Sequence, residues 1–292
     1  MCIHTVWSWH IFNGTSSCHV ASIKNNEVSV NMKKLRAFLL VCATAILLVG
    51  CAYPEDEKRA KVTPDVDQLA AVQRAVDEYR EATGGLVPIK NSEVDTDIYI
   101  KYLIDFEKLM PKYLTTIPGN AYEKGGIYQY IIWDPENEAT VKLVDLNAAE
   151  RMREIGIRKL STKYLPIKGA AADNVYQINY QDLGYKTDVT VKSPYSGVEL
   201  PIFMTGDGEL HVDYAVDLGQ LLKEDKPEVK PGDDIRQLLV DKYPVVPAYS
   251  VPYTVDDNGE PIYDMDTYNA DVQKVKERQQ QQAEAEAETK KE

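Results

Sequence analysis

Past residue 51 the chain has no cysteine, and His211 is the one histidine there. That scarcity excludes zinc sites built from Cys and His pairs, and any two-histidine metal centre, from the long C-terminal part. An intrachain disulfide is excluded there too, so a folded body has to be held by its core alone. Apolar runs are short: the longest, 37–49, covers 13 residues, against the roughly 20 that a helix needs to cross a bilayer. No Gly-x-Ser-x-Gly stands anywhere, and no glycine-rich phosphate loop. Gly206-Asp207-Gly208 has the spacing of a tight turn and lacks a following helix with lysine. Beyond residue 51 phenylalanine is limited to Phe106 and Phe203 and tryptophan to Trp133, whereas all 19 tyrosines lie there. Such a chain builds polar-tipped cores or stacking surfaces.

Positive charge is scarce as well. The formal net charge is −13; residues 1–50 carry Lys24, Lys33, Lys34 and Arg36 against Glu27, so 51–292 holds −16. An acidic surface disfavours nucleic acid and anionic lipid as partners.

What is present at the beginning is a second plausible start. Met32-Lys33-Lys34-Leu35-Arg36 is a short basic segment, followed by the apolar run and then Leu48-Val49-Gly50-Cys51. This is the layout of a secretory signal peptide over 32–50. Residues 1–31 fit no part of it and read as an upstream translated stretch, the alternative being an unusually long basic region. The end of the run resembles the lipobox of bacterial lipoproteins. Small Gly50 lets a peptidase reach the bond before Cys51, and the Cys51 thiol accepts a diacylglyceryl group. The resemblance implies cleavage between Gly50 and Cys51, lipidation of Cys51 with palmitate-like chains, and a place on the outer, extracytoplasmic face of the cell membrane. Each buried methylene contributes about 0.8 kcal/mol, so two or three chains make a permanent anchor. An ordinary cleaved signal with an incidental cysteine is the bland alternative.

Residues 51–63 are charged and aperiodic, which suits a lipidated tether reaching about 20 Å. The first helix is expected to open with Thr63 as N-cap and Pro64 at its first position, to bury Val66, Leu69, Val72, Val76 and Tyr79, and to stop at Gly84-Gly85. A short helix from Asp105, a hairpin with arms 127–133 and 139–144 around Asp134-Pro135-Glu136-Asn137, and a helix over 146–160 follow. Strands are expected at 175–180, 188–192, 200–204 and 210–216, with a charged loop over 223–233 and a helix over 234–239. Pro244, Pro247 and Pro252 punctuate 243–255, which reads as extended on the surface or an edge. From 269 the Gln- and Ala-Glu-rich tail is helix-prone, has no apolar stripe and is expected to be mobile.

The mixture is α+β, helices packed on small antiparallel sheets, and an internal similarity divides it. Residues 100–110 align without gaps on 212–222, Tyr102 over Tyr214 and Asp105 over Asp217. Two related units, 64–160 and 161–268, are therefore expected; chance recurrence of an apolar pattern is the alternative. Asp105 and Asp217 each read as helix caps, and both tyrosines as packed.

Chemistry is thinly marked. His211 stands near Asp213, but no nucleophile motif accompanies them. Asp256-Asp257-Asn258-Gly259-Glu260 offers oxygen ligands without the calcium-loop spacing, and a hairpin tip explains it better. No pair of carboxylates is singled out for glycoside cleavage. No catalytic residue, metal ligand or cofactor-binding residue is therefore assigned, and no cofactor is expected.

The run VPAYSVPYTVDDNGEPIY, 246–263, is similar to lipoproteins of spore-forming Gram-positive bacteria, a family with no assigned activity. That resemblance implies location and not mechanism. Pro88 and YLTTIPGNAYEKGGIYQY, 113–130, resemble the globular part of pilin-like proteins, though a lipobox replaces the long apolar N-terminal helix. Three functions remain open: a non-enzymatic module binding an envelope protein or wall component, a solute-binding lipoprotein of a transporter, and a wall-polymer enzyme using carboxylates. The first is preferred, and the chain leans away from enzymes.

Overall fold

A computed structural model describes residues 64–289, with side chains to residue 284. Gly50, Cys51, the leader and the tether lie outside the described residues. The described residues all fall within one compact unit. It is α+β, with seven α-helices and small antiparallel sheets among the described residues.

Helix α1, Val66–Thr83, is capped by Asp65. The Asp65 carboxylate accepts from the N–H groups of Asp67 (2.9 Å) and Gln68 (3.2 Å). The cap expected at Thr63 is displaced because two charge-assisted bonds to free N–H groups outweigh one from a hydroxyl. Val72, Ala75 and Val76 form the buried stripe, while Val66 is 76% exposed. Gly84, at φ +73°, ends the helix as its sequence position suggests.

The stripe rests on a hairpin, β1 (Tyr128–Trp133) and β2 (Thr140–Asp145), paired from Tyr128↔Asp145 to Trp133↔Thr140. Alternation sorts its side chains. Tyr128, Tyr130 and Ile132 face α1, and Ile131 and Trp133 face a separate cluster with Tyr99, Val240 and Val246. Gln73 ties α1 to β2, accepting from Val141 N–H (2.6 Å) and donating to the Ala139 carbonyl (3.3 Å). Helices α2 (Ile98–Lys101) and α3 (Phe106–Leu109) flank the hairpin, and Tyr102 and Ile104 bond to β1 between them.

Helix α4, Leu146–Lys159, follows β2 directly. Its buried Ala148 and Ile155 join the core of the following part, not that of α1. That second core is built on a five-stranded antiparallel sheet of β3 (Ile167–Ala172), β4 (Val175–Ile178), β6 (Glu199–Thr205) and β5 (Thr190–Lys192) in that order, with β7 (Leu210–Val212) also on β6. Helices α5 (Ala215–Asp225) and α6 (Arg236–Lys242) and the hairpin β8 (Tyr253–Val255) and β9 (Pro261–Tyr263) complete it.

Two expectations fail here. The strand read over 210–216 ends at Val212, helix α5 begins at Ala215, and Asp213 between them accepts from Ala215 N–H at 3.0 Å. Asp217 is the third residue inside that helix. It is buried and accepts from the Ser193 hydroxyl at 2.9 Å and the Ser196 hydroxyl at 2.5 Å. Asp105 does cap α3, so the gapless alignment of the two runs does not carry into equivalent roles. The proline-rich segment 243–255 is not superficial either: Val245, Val246, Ala248, Val251 and Tyr253 are buried. It bonds to β2 through Pro244 and Val246, then accepts from Val212 N–H at Tyr249. This strap pairs with both sheets, and proline serves it because its carbonyls, not its nitrogens, are used.

The tyrosines make polar-tipped cores. Tyr130 donates to Asn120 Oδ1 (2.7 Å), Tyr180 to the Val189 carbonyl (3.1 Å) and Tyr253 to Asp213 (2.9 Å). The chain after β9 is one continuous helix, α7 (Met265–Thr289), whose Met265 is buried.

Candidate functional site

A groove of about 610 Å³ opens between the loop before α2, the β6–β7 turn, the strap and the first turns of α7. Asp97 comes from that loop, His211 from β7, Arg236 from α6, Tyr249 from the strap, and Tyr268 and Lys276 from α7. Its floor is Arg236. The residue stands in phase with Leu239 and Val240 on the buried face of α6, an unusual place for a charge that has to be matched inside. The guanidinium donates to Asp234 (2.6 and 3.0 Å) and to the Ser250 carbonyl (3.0 Å), and lies 5.0 Å over the Tyr99 ring. Tyr99 stacks in turn on Trp133, 5.3 Å away. One cation therefore joins the hairpin of the first part to the helices of the second.

Asp97 caps α2 by accepting from Tyr99 N–H at 2.8 Å. Burial raises its carboxyl above the usual range, against the lowering effect of that bond and of Arg236. On the opposite wall His211 Nε2 lies 3.2 Å from the Tyr268 hydroxyl and 3.4 Å from that of Thr205. Thr205 donates to Asp207 at 2.5 Å. Burial pushes the His211 imidazole down to about 4, with Asp207 opposing and Arg236 assisting. Burial works to raise Asp207, yet the bonds from Thr205, Glu209 N–H and Tyr268, with His211 near, bring its carboxyl below the usual range. At neutral pH the wall thus holds a neutral imidazole beside an ionised carboxylate. Tyr249, at φ +61°, is held in a conformation that bulky residues seldom adopt, where the strap closes on β7.

Residues 65–145 match the YphF family N-terminal domain. The match covers a little over a quarter of the chain, and its ends are structural ones, running from the cap of α1 to the last residue of β2. No curated protein and no solved structure matches the chain. The matched part supplies Asp97 and Ile98 to the groove; His211, Arg236 and Tyr268 lie beyond it.

The other residues weighed in the sequence fall elsewhere. Asp213 is not turned to His211; it accepts from Tyr253 (2.9 Å) and Tyr263 (2.8 Å) hydroxyls. Asp256 organises a hairpin tip, accepting from the N–H groups of Asn258 and Glu260 (both 2.9 Å), with Gly259 at φ +78°. Those bonds hold its carboxyl below the usual range. Among the described residues no group of three or more His, Cys, Asp and Glu is placed to hold a metal ion, and no helix is long and apolar enough to cross a membrane. Sequence reasoning missed the groove because its walls come from four distant segments. The one available signal was Arg236 in the apolar phase of a helix.

Proposed function

We propose that the chain is a lipoprotein, cleaved before Cys51 and anchored through lipid on it, whose folded part works as a non-enzymatic binding module at the outer face of the cell membrane. The observation that carries this reading is the order basic segment, short apolar run, Leu48-Val49-Gly50-Cys51. The groove supports the binding half. It has the size of a ligand site, and its walls set aromatic and aliphatic side chains among a larger number of polar and charged ones. Its histidine bonds to a threonine and a tyrosine, and an imidazole pushed down to about 4 by burial is a weak base for activating either of them. An envelope protein or a wall component is the partner class that fits this location.

Expression in a Gram-positive host with an alkyne fatty acid tests the anchor. Wild type takes up the label and sediments with membranes, and Cys51→Ser does neither; equal labelling of the two rejects the anchor. The groove's volume favours one second reading, capture of a small solute for a transporter. A metabolite panel that raises the Tm of the 54–292 fragment, with the shift lost in Tyr249→Ala, would select that reading over a macromolecular partner.

A further inference from the structure

The molecule's acidity is not evenly spread. Residues 146–172 contain Arg151, Arg153, Arg158, Lys159, Lys163 and Lys168 against Glu150 and Glu154, a net +4 within a part that holds −16. Arg151 pairs with Glu154 at 3.3 Å, Arg158 lies 4.1 Å over the Tyr185 ring, and the Lys159 ammonium donates to the Gly208 carbonyl. Arg153, Lys163 and Lys168 are exposed and have no ion pair among the described residues.

The same stretch concentrates exposed apolar side chains. Ile157, Leu160, Tyr164, Leu165 and Ile167 are five of the thirteen large hydrophobics left exposed among the described residues, and Leu160 is 83% accessible. Arg153, Ile157 and Leu160 follow one another at i, i+4 and i+7 along the side of α4 away from its buried Ala148 and Ile155. The chain then turns back at the β6–β7 turn, where Leu165 lies beside Gly208, and enters the edge strand β3. Basic and greasy groups mixed along one exposed stretch are the composition of an interfacial membrane contact.

We propose that this stretch, from Arg153 to Lys168, rests on an anionic lipid bilayer. Charge complementarity selects the occupant: cations with no ion pair among the described residues meet headgroup phosphates, while Leu160 and its neighbours enter the headgroup boundary. Net charge does not oppose this at contact, because salt screens the distant acids beyond about 8 Å. The inference rests on the anchored reading in one respect. A 12-residue stretch between Cys51 and residue 64 reaches about 20 Å, which holds a lipid-anchored body against the bilayer.

The test uses the 54–292 fragment, which forms a compact unit without Cys51, so its outcome does not depend on acylation. Sedimentation with vesicles of phosphatidylglycerol and phosphatidylcholine should exceed that with phosphatidylcholine alone by roughly tenfold and fall as salt rises. Arg153→Glu/Lys163→Glu/Lys168→Glu should abolish the difference with an unchanged far-UV spectrum, since all three side chains are exposed. The emission of Leu160→Trp should shift to the blue on adding the anionic vesicles. Equal sedimentation with both vesicle types overturns the proposal. So does an L160W emission that stays unshifted while soluble polyphosphate is bound, or a dimer through β3 that shields Leu160 and leaves vesicles free.

Discussion

His211 is the residue whose environment makes the sharpest demand on solution conditions. Its imidazole titrates near 4 in the folded chain, pushed down by burial with Asp207 opposing, and near 6.5 when unfolded. Between those values the unfolded chain holds the extra proton, so stability falls as pH drops from 6.5 to about 4 and stops falling below. The loss is on the order of 2 kcal/mol, after allowance for the ring's partial exposure. Asp97, Asp145 and Asp217, raised by burial, act in the opposite sense. The difference in Tm between wild type and His211→Gln therefore isolates the histidine, and should narrow from pH 7 to pH 4.5. Asp217 makes a second residue-scale prediction. Replacement by Ala strands the buried Ser193 hydroxyl and removes the acceptor of the exposed Ser196 hydroxyl, and should cost about 2 kcal/mol in chemical denaturation. An effect under about 0.5 kcal/mol would show that the Ser193–Ser196 turn does not depend on it. Asp217 was read as a cap because its place before an apolar-periodic run is also that of Asp105. Only the fold shows that the helix has already begun two residues earlier, with Asp213 before it accepting from Ala215 N–H.

At the scale of elements, what was legible is what local chemistry decides. The β1–β2 hairpin, the span of α4 and the stop of α1 at Gly84 follow from alternation, periodicity and a left-handed glycine. Elements set by distant partners were not legible. The strap reads as surface by its prolines, yet its backbone is drawn in by carbonyl acceptors and by Val246 and Val251 packing below. The loop before β1 hides a further constraint. A Cβ on Gly126 would lie 2.0 Å from the Asn120 carbonyl oxygen, so Gly126→Ala should destabilise the fold by about 3 kcal/mol in urea titration. Gly84→Ala, which meets no neighbour and is strained only by its positive φ, should cost about 1 kcal/mol. If the two variants were equally stable, close packing at Asn120 would not be the constraint.

Across the whole molecule, the strap and the Arg236 contact on Tyr99 join what the sequence divides into two units. Unfolding of 54–292 should be a single cooperative step, with Trp133 fluorescence and far-UV circular dichroism giving one midpoint. Two midpoints would mean that the region of α1 and the hairpin folds apart from the rest. On the proposed reading the groove, the basic stretch and the short segment after Cys51 belong to a binding body kept close to a bilayer, and all three acquire meaning from the state of one sulfur. Intact-mass and peptide mass spectrometry of protein purified from a Gram-positive host tests that state most directly. The account predicts a mature chain that begins at Cys51 and carries a diacylglyceryl thioether there. A chain that begins at another residue, or a Cys51 recovered as a free thiol, would contradict it.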